Sequence, residues 1–521
     1  MSQITITLIV LFVAVVLFVW NRFPVGIVAI GVALSLYATG VISFEQTLAG
    51  FGDPVIVFIA ALFVVSEALD ATGVTTWAGQ QLVTRAGTDR RTLVTLVMVL
   101  VAIVTALISV NGAVAALIPM VVVLAIKIRQ PPSQMLMPLA FGAHAGSLLV
   151  LTGTPVNVLV SELAVSAGEK PIGFFAFGLV GIPLVVGTIL ITVFLGPKLL
   201  PKRAARAAPS DLSSHAETLA AQYSLARSEG LLSRDSGLTE VVVPPRSSFV
   251  GDSVFTGMVT ESGQLVVVAI QRSGEDLSEA VLVPGDVMLL QGTWQALEEN
   301  TTDPNVVVVD APQSIRRQAV PMGPKAKTAL VILAGMVVLL ATGLVPAAIA
   351  ALVAACAMVL LRVISVGQAH RSISWTTLIL VGGMIPLSTA IQSSGAADLL
   401  ANGLVNAVGN SSPYLLVLGV ALVTVVLGQL ISNMATALIV APIAIAIATE
   451  TGISPLPLLL AVAVAGAASF LTPVATPANT MVMGPGAYQF GDYWKLGLPL
   501  VLLFLLVATV LVPVFWPFYP G

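Results

Sequence analysis

"LTGTPVNVLV", residues 151–160, lies inside a long apolar stretch and yet carries two threonines, a glycine, a proline and an asparagine. A second stretch, "VATPANTMVM" at 474–483, repeats the pattern: Thr154, Pro155 and Asn157 recur as Thr476, Pro477 and Asn479, each 322 residues later. Proline removes a backbone donor and clashes with the preceding turn, so a helix meeting these residues is interrupted there.

The correspondence extends along the chain. At the same offset Pro24 falls on Pro346, "VIS" at 41–43 on "VIS" at 363–365, Gln46 on Gln368, Ser66 on Ser388 and Gly73 on Gly395. Asn111 falls on Asn433, and "AGSLL" at 145–149 on "AASFL" at 467–471. Matching Leu or Val would mean little in apolar sequence. Polar, proline and glycine matches at constant spacing mark a duplication, and internal repeats with interrupted helices are a signature of secondary transporters.

Composition agrees with a membrane setting. Of 521 residues 57% are hydrophobic and 9% charged, far from the usage of a soluble domain. Runs at 3–20, 54–66, 92–108, 327–342 and 498–512 read as helices in or across a bilayer. The first lacks a charged leader and a small-residue cleavage site, so it is expected to be retained. The single cysteine, Cys356, excludes an internal disulfide and a cysteine-based metal cluster. A net charge of −3 offers no footprint for nucleic acid, and no P-loop sequence occurs that would serve primary active transport.

Charge is concentrated in the middle. Residues 201–328 hold 11 of the 22 Lys and Arg and 15 of the 25 Asp and Glu, which marks an insertion between two membrane segments. The expected organisation is membrane repeat one at 1–198, a linker with a short polar helix at 199–229, a small α+β domain at 230–312, and membrane repeat two at 313–521. Alternating runs in "LTEVVVPPRSSFVGDS", "QLVVVAIQRSG" and "VLVPGDVMLLQG" supply the strands.

Repeat one offers helices near 3–20, 24–43, 53–74, 135–160 and 174–197, and a segment at 93–128 interrupted by "SVNGA" (109–113). That segment reads as a re-entrant hairpin, because non-helical backbone at membrane depth survives only where protein or a wet cavity surrounds it. Five crossings per repeat invert the second repeat. The expected fold is thus an all-α polytopic membrane protein with ten spans, two inverted five-helix repeats and both termini external. With residues 199–326 cytoplasmic, the inner ends carry Arg22, Arg85, Arg90, Arg91, Lys127, Arg129, Lys198, Arg362, Arg371 and Lys495, leaving Lys170 outside. This asymmetry follows the positive-inside rule.

Each repeat has two polar interruptions: "ISVNGAVAALIP" (108–119) and "LTGTPVNVLV", then "LISNMATALIVAP" (430–442) and "LTPVATPANTMV" (471–482). A break exposes N–H groups at one half-helix start, which attract an anion, and carbonyls at the other's end. Those carbonyls, with Asn, Ser and Thr oxygens, suit Na⁺. A lone Thr-Pro is usually a kink, and a lone membrane asparagine is usually helix glue. Two breaks recurring at one offset favour a site. Glu67 and Asp70, ionisable at membrane depth, are functional candidates by position, but their counterparts are Thr389 and Gln392, so they stand outside the symmetric set. His144, opposite Gly466 at the same offset, reads as a packing or hydrogen-bonding residue.

At these residues both membrane halves resemble the divalent anion/sodium symporter family, within the ion-transporter group that includes arsenite and citrate permeases. That family carries Ser-Asn-Thr at each hairpin tip and Thr-Pro in each broken helix. Here the tips read Val110-Asn111-Gly112 and Ser432-Asn433-Met434, while Gly153-Thr154-Pro155 and Ala475-Thr476-Pro477 match the broken helices. The resemblance implies sodium sites at Asn111, Gly153, Asn433 and Ala475, with Ala106 and Gly428 as further backbone ligands. It implies an anion surrounded by Asn111, Gly112, Thr154, Pro155, Ser432, Asn433, Thr476 and Pro477. Three missing tip hydroxyl side chains remove donors that family carriers place on dicarboxylates, which favours sulfate slightly. "SFVGDS" and "LVPGDVMLLQG" make the insertion resemble the TrkA-C (RCK-C) ligand-binding module, with a structural insert as the alternative.

The expectation is therefore a homodimeric, elevator-type Na⁺ symporter of a small divalent anion in a bacterial inner membrane, not an enzyme, with a possible small ligand on the inserted module. Alternatives are a proton-coupled tricarboxylate or metalloid oxyanion carrier, or a ligand-regulated anion channel or sensor.

Overall fold

The computed structural model describes residues 2–20, 22–75, 77–78, 81, 89–127, 130–203, 219, 222–223, 233, 236–301, 303–312, 315, 322–323, 325–408 and 412–519. Arg85 and Arg129, and most of the expected linker, lie outside these residues. By contacts the chain divides into two compact units: Met1–Glu67, Leu82–Ala208 and Val331–Gly521 form one, and Ala68–Gln81 with Pro209–Leu330 the other.

The first half of the chain folds into helices α1 (Gln3–Trp20), α2 (Val25–Ala38), α3 (Phe44–Ala49), α4 (Pro54–Ala71), α5 (Arg90–Leu107), α6 (Val110–Lys127), α7 (Leu136–Gly146), α8 (Pro155–Ser166) and α9 (Gly178–Leu199). In the smaller unit seven strands follow, β1 (Ser236–Val242), β2 (Ser253–Phe255), β3 (Leu265–Arg272), β4 (Glu275–Leu277), β5 (Glu279–Val281), β6 (Val287–Thr293) and β7 (Val307–Val308), with α10 (Trp294–Asn300) between the last two. The rest comprises α11 (Ala326–Thr342), α12 (Ala347–Leu360), α13 (Val366–Ser372), α14 (Trp375–Ser393), α15 (Ala396–Val408), α16 (Pro413–Gly428), α17 (Asn433–Thr451), α18 (Pro455–Gly466), α19 (Pro477–Met483) and α20 (Tyr493–Leu506).

Element bounds recur at the sequence offset. Val25–Ala38 shifted by 322 residues is Ala347–Leu360, so α2 and α12 coincide end to end, each entered through a proline at φ −54°. The local bonding recurs too. Ser43 and Gln46 form a capping box at the start of α3, and Ser365 and Gln368 form the same box at α13. In both, a serine hydroxyl accepts the third N–H while the glutamine closes back on the cap, satisfying two donors that a helix start leaves open. The carbonyls of Leu148 and Phe470, which do stand at that offset, each pack against a glycine that does not: a Cβ on Gly181 would collide with the first and one on Gly497 with the second.

Among the described residues, seven helical segments are long and apolar enough to cross a membrane. They expose large apolar side chains, such as Phe12 at 69% and Phe194 at 60%. In water so much apolar exposure would drive aggregation, whereas hydrocarbon solvates it. The membrane protein is polytopic.

The smaller unit is built differently. β4-β3-β6-β1-β7 form one antiparallel sheet and β2 pairs with β5 in a second ribbon. Its core gathers Val241, Leu265, Val267, Ile270, Leu290, Trp294 and Leu297. Arg272 grips the buried Asp286 with two hydrogen bonds of 2.7 Å, and Asp286 also accepts the Val283 N–H. The guanidinium beside it holds the Asp286 carboxyl below the usual carboxylate range.

Candidate functional site

The hairpin tips differ in where the helix restarts. α5 ends at Leu107, Ile108 bends away at φ −113°, ψ −88°, and α6 resumes at Val110. The expected interruption over 109–113 is therefore shorter, and Asn111 and Gly112 lie in helical backbone. Ser109 explains this: its Oγ accepts the Gly112 N–H at 3.2 Å and its carbonyl accepts the Ala113 N–H, closing the turn at once. In the second hairpin Ser432 is the cap, its Oγ accepting the Ala435 N–H at 3.3 Å, and Asn433 opens α17. The capping serine sits one offset position earlier in the first tip, so Asn111 is the second helical residue whereas Asn433 is the first. Asn111 is exposed and Asn433 half-buried.

The two broken helices are near copies. α7 ends at Gly146, a short turn spans Leu151–Gly153, and Thr154 is extended at φ −150°, ψ 145° before Pro155 opens α8. Past α18 the same turn spans Pro473–Ala475, and Thr476 is extended at φ −146°, ψ 152° before Pro477 opens α19. Each threonine caps its helix: Thr154 Oγ1 accepts the Val156 N–H at 3.4 Å, and Thr476 Oγ1 the Asn479 N–H at 3.3 Å. Proline at the first helical position sacrifices an N–H that has no intrahelical partner anyway. Gly153 must be glycine because a Cβ there would strike the Ser147 carbonyl.

Asn157 and Asn479 brace these turns. Asn157 Nδ2 donates to the carbonyls of Ser147 (2.9 Å) and Val150 (3.0 Å). Asn479 Nδ2 donates to Ser469 (2.7 Å) and Thr472 (3.1 Å), each partner again 322 residues on. These carbonyls are orphaned by the end of the preceding helix, and the amide satisfies them where water is absent. With both amide hydrogens spent on carbonyls, each Oδ1 is committed to accepting. Asn479 Oδ1 meets His144 Nε2 at 3.3 Å. Asn157 Oδ1 is buried with no hydrogen-bond partner among the described residues, as is Thr436 Oγ1 in the first turns of α17. An unpaired buried acceptor suits a cation, so the donor set is compatible with sodium.

Side chains from the two halves interlock. α8 packs on α17 and α18, while α19 packs on α6 and α7. His144 Nε2 also reaches Thr476 Oγ1 at 3.1 Å, and Tyr488 Oη donates to the Ser133 carbonyl and accepts the Met137 N–H at 2.8 Å. Tyr493 Oη donates to the Asn479 carbonyl at 2.6 Å. The second tip is tied to its break more tightly than the first. Ser469 Oγ donates to Asn433 Oδ1 at 2.7 Å, and Gln429 takes the Leu471 N–H while donating to the Ala468 carbonyl. Leu107, the offset counterpart of Gln429, has no polar group to do this.

The remaining expected residues fall as follows. Thr154 and Pro155 are half-buried, Thr476 is 7% exposed and Pro477 exposed; Ala475 is buried. The Ala106 carbonyl accepts Thr152 Oγ1 at 3.4 Å, joining the first hairpin to its break. A Cβ on Gly428 would come 3.9 Å from Asn433 Oδ1. Ser432 is exposed at the tip. Glu67 and Asp70 sit in the last turns of α4, and Asp70 accepts from Thr75 Oγ1 at 2.9 Å. Ser469, Gln429, Tyr488 and Tyr493 were not singled out by sequence; Ser469 stood inside the recurring "AASFL", the one available signal.

This architecture has relatives. The chain is 30% identical, over 97% of its length and 98% of the other, to the uncharacterized transporter YfbS of Escherichia coli. It is 24% identical, over 52% of its length and 31% of the other, to probable sodium/sulfate cotransporter 3 of Chlamydomonas reinhardtii. The fold matches the crystal structure of the Alcanivorax borkumensis YdaH transporter with a TM-score of 0.52, 17% identity and coverage of 97% of this chain and all of that one. The sequence matches the family described as CitMHS, citrate transporter, over residues 15–465 and 400–519. With two interrupted helices meeting inside an apolar helical unit, the chain belongs to the CitMHS citrate transporter family.

Proposed function

We propose that this transporter is a secondary carrier that moves a small divalent anion together with Na⁺, sulfate ahead of C4-dicarboxylates, through inverted repeats in an elevator-type cycle. The observation that carries the reading is the paired set of breaks: Thr154 and Thr476 each cap a half-helix opened by proline, and Asn111 and Asn433 stand in the first turn of a hairpin arm. Helix N-termini and hydroxyls offer neutral donors to an anion, and Asn157 Oδ1 offers a neutral acceptor to sodium. No Lys, Arg, Asp or Glu occurs in the four interrupted segments, 108–119, 151–160, 430–442 and 471–482. A compact oxyanion can be held by a few neutral donors, and Na⁺ compensates its charge. The name of the Chlamydomonas reinhardtii relative supports sodium and sulfate.

The family description favours a second reading, a tricarboxylate carrier. We further propose that the inserted unit is a TrkA-C-like regulatory module on the cytoplasmic side and that the carrier works as a homodimer. A thermal-shift series with sulfate, succinate and citrate, each with and without Na⁺, separates the readings. A ligand at about 100 times its Kd adds roughly 2.7 kcal/mol to the folded state. Stabilisation by sulfate only when Na⁺ is present supports the first reading. Stabilisation by citrate alone, with uptake into proteoliposomes driven by a pH gradient in sodium-free buffer, replaces it with the second.

A further inference from the structure

The two broken helices share their braces but not their histidine. His144, in α7, reaches into the second break, where Nε2 lies 3.1 Å from Thr476 Oγ1 and 3.3 Å from Asn479 Oδ1. The ring is 2% exposed and stands edge-on to Phe470, at 5.9 Å between centroids. Asn479 cannot turn its amide around, because both Nδ2 hydrogens are spent on the Ser469 and Thr472 carbonyls. Its Oδ1 therefore faces the imidazole as a pure acceptor, and the ring nitrogen opposite must carry hydrogen. With the Nε2–H tautomer set, its one hydrogen is shared between Asn479 Oδ1 and the nearer Thr476 Oγ1, so Thr476 Oγ1 accepts from His144 Nε2–H and from the Asn479 backbone N–H. Both lone pairs are occupied. The hydroxyl proton is the one bonding function left to the Thr476 side chain.

The first break provides an internal contrast. Thr154 Oγ1 accepts one backbone N–H, from Val156. The position equivalent to His144 is Gly466, whose Cβ would meet nothing closer than Val156 Cγ1 at 3.9 Å, and Asn157 Oδ1 is left without a donor. Thr154 thus keeps a free lone pair and can accept as well as donate.

We propose that His144 is a positioning residue that makes Thr476 an obligate hydrogen-bond donor, polarising the second break toward the anion while the first break keeps its acceptors for the cation. This rests on the reading that the two breaks face the transported ions. His144 touches neither ion; it acts through the threonine hydroxyl.

The test uses the full-length protein in proteoliposomes, with whichever of sulfate, succinate and citrate stabilises the wild type, at saturating Na⁺. Thr476→Val and His144→Leu should each raise the half-saturating anion concentration about tenfold, the loss of one buried hydrogen bond. His144→Gln, which keeps an N–H donor, should recover most of it, and the double variant His144→Leu/Thr476→Val should be no worse than Thr476→Val alone. The half-saturating Na⁺ concentration should move far less than that of the anion. Wild-type anion affinity in His144→Leu beside a weakened Thr476→Val overturns the role of the histidine and leaves the site intact. Wild-type affinity in Thr476→Val, or no response to any of the three anions, overturns the site itself. His144→Met replaces the leucine variant should that fail to fold. If neither apolar variant folds while His144→Gln does, the N–H is structural and the proposal fails.

Discussion

The two broken helices are close to identical in covalent pattern and in local bonding, and they differ in what reaches them from outside. In each, an extended threonine caps a helix opened by proline, and an asparagine three residues after the threonine ties down two orphaned carbonyls. The second break is also gripped by His144, by Tyr493 through the Asn479 carbonyl, and by the Ser469 and Gln429 contacts to its hairpin tip. The first has one buried acceptor, Asn157 Oδ1, left open. The same caps and braces thus make two equal frames, and different residues at a handful of flanking positions make them chemically unequal. Such inequality is what the proposed binding of two ions of opposite charge would require.

The strongest way to break this comparison is to place a charge at the tips. Asn433→Asp and Asn111→Asp each put a carboxylate where a divalent anion is expected. Repulsion between charges of −1 and −2 at ~5 Å with an effective dielectric of ~20 is on the order of 6–7 kcal/mol. Transport should be abolished in both while size-exclusion profiles stay normal; substantial uptake by either variant removes its tip from the site.

Next come the braces themselves. Asn157→Ala and Asn479→Ala each strand two buried carbonyls, at about 1–3 kcal/mol per unsatisfied group. Asn479→Ala also removes one of the two acceptors that share the His144 N–H, so its melting temperature in detergent should fall further than that of Asn157→Ala. Equal losses, or the reverse order, would show that the two breaks are energetically alike despite the histidine.

A gentler probe is Gly466→Ala, which partly restores symmetry of volume opposite His144. The new methyl meets only Val156 Cγ1, at an ordinary contact distance of 3.9 Å. Removing backbone freedom from a helical glycine should stabilise the protein by about 0.5–1 kcal/mol, read as a small rise in melting temperature. A fall would mean that the space beside Asn157 must stay open.

The smallest effect on either break is expected from the inserted unit. Asp286 has its carboxyl pKa held down by Arg272, so this pair stabilises the fold above the unfolded carboxylate range and ceases to do so as pH falls through the folded value. Protease resistance of residues 236–308 in the full-length protein should therefore drop below about pH 4. Asp286→Asn should lower that resistance at neutral pH and leave anion and Na⁺ affinities unchanged. A large shift in either affinity would couple the inserted unit to the breaks.

Much of this was legible before folding. The 322-residue offset located both breaks and paired Asn111 with Asn433, because proline starts and helix interruptions depend on residues a few positions apart. The first tip was misplaced by the same logic. "SVNGA" reads as a polar gap, yet Ser109 caps so efficiently that the helix restarts before Asn111. His144 reads from sequence as a packing or hydrogen-bonding residue, but its partners and those of Asn157 were out of reach. An asparagine in a break looks like a ligand until its amide is seen bonded to carbonyls ten and seven residues back. The partner of His144 lies 332 residues away along the chain.

The sequence by itself determined the apolar helices, their duplicated order and the points at which they are cut, since these follow from side-chain polarity, proline geometry and short-range hydrogen bonding. Only the tertiary structure decided which polar atoms are satisfied and which remain open: Asn479 Oδ1 faces His144 and Asn157 Oδ1 does not. The physical reason is the scarcity of water in a buried site. There each donor must find an acceptor in the protein or a bound ion, and that pairing is set by how segments hundreds of residues apart come to lie side by side.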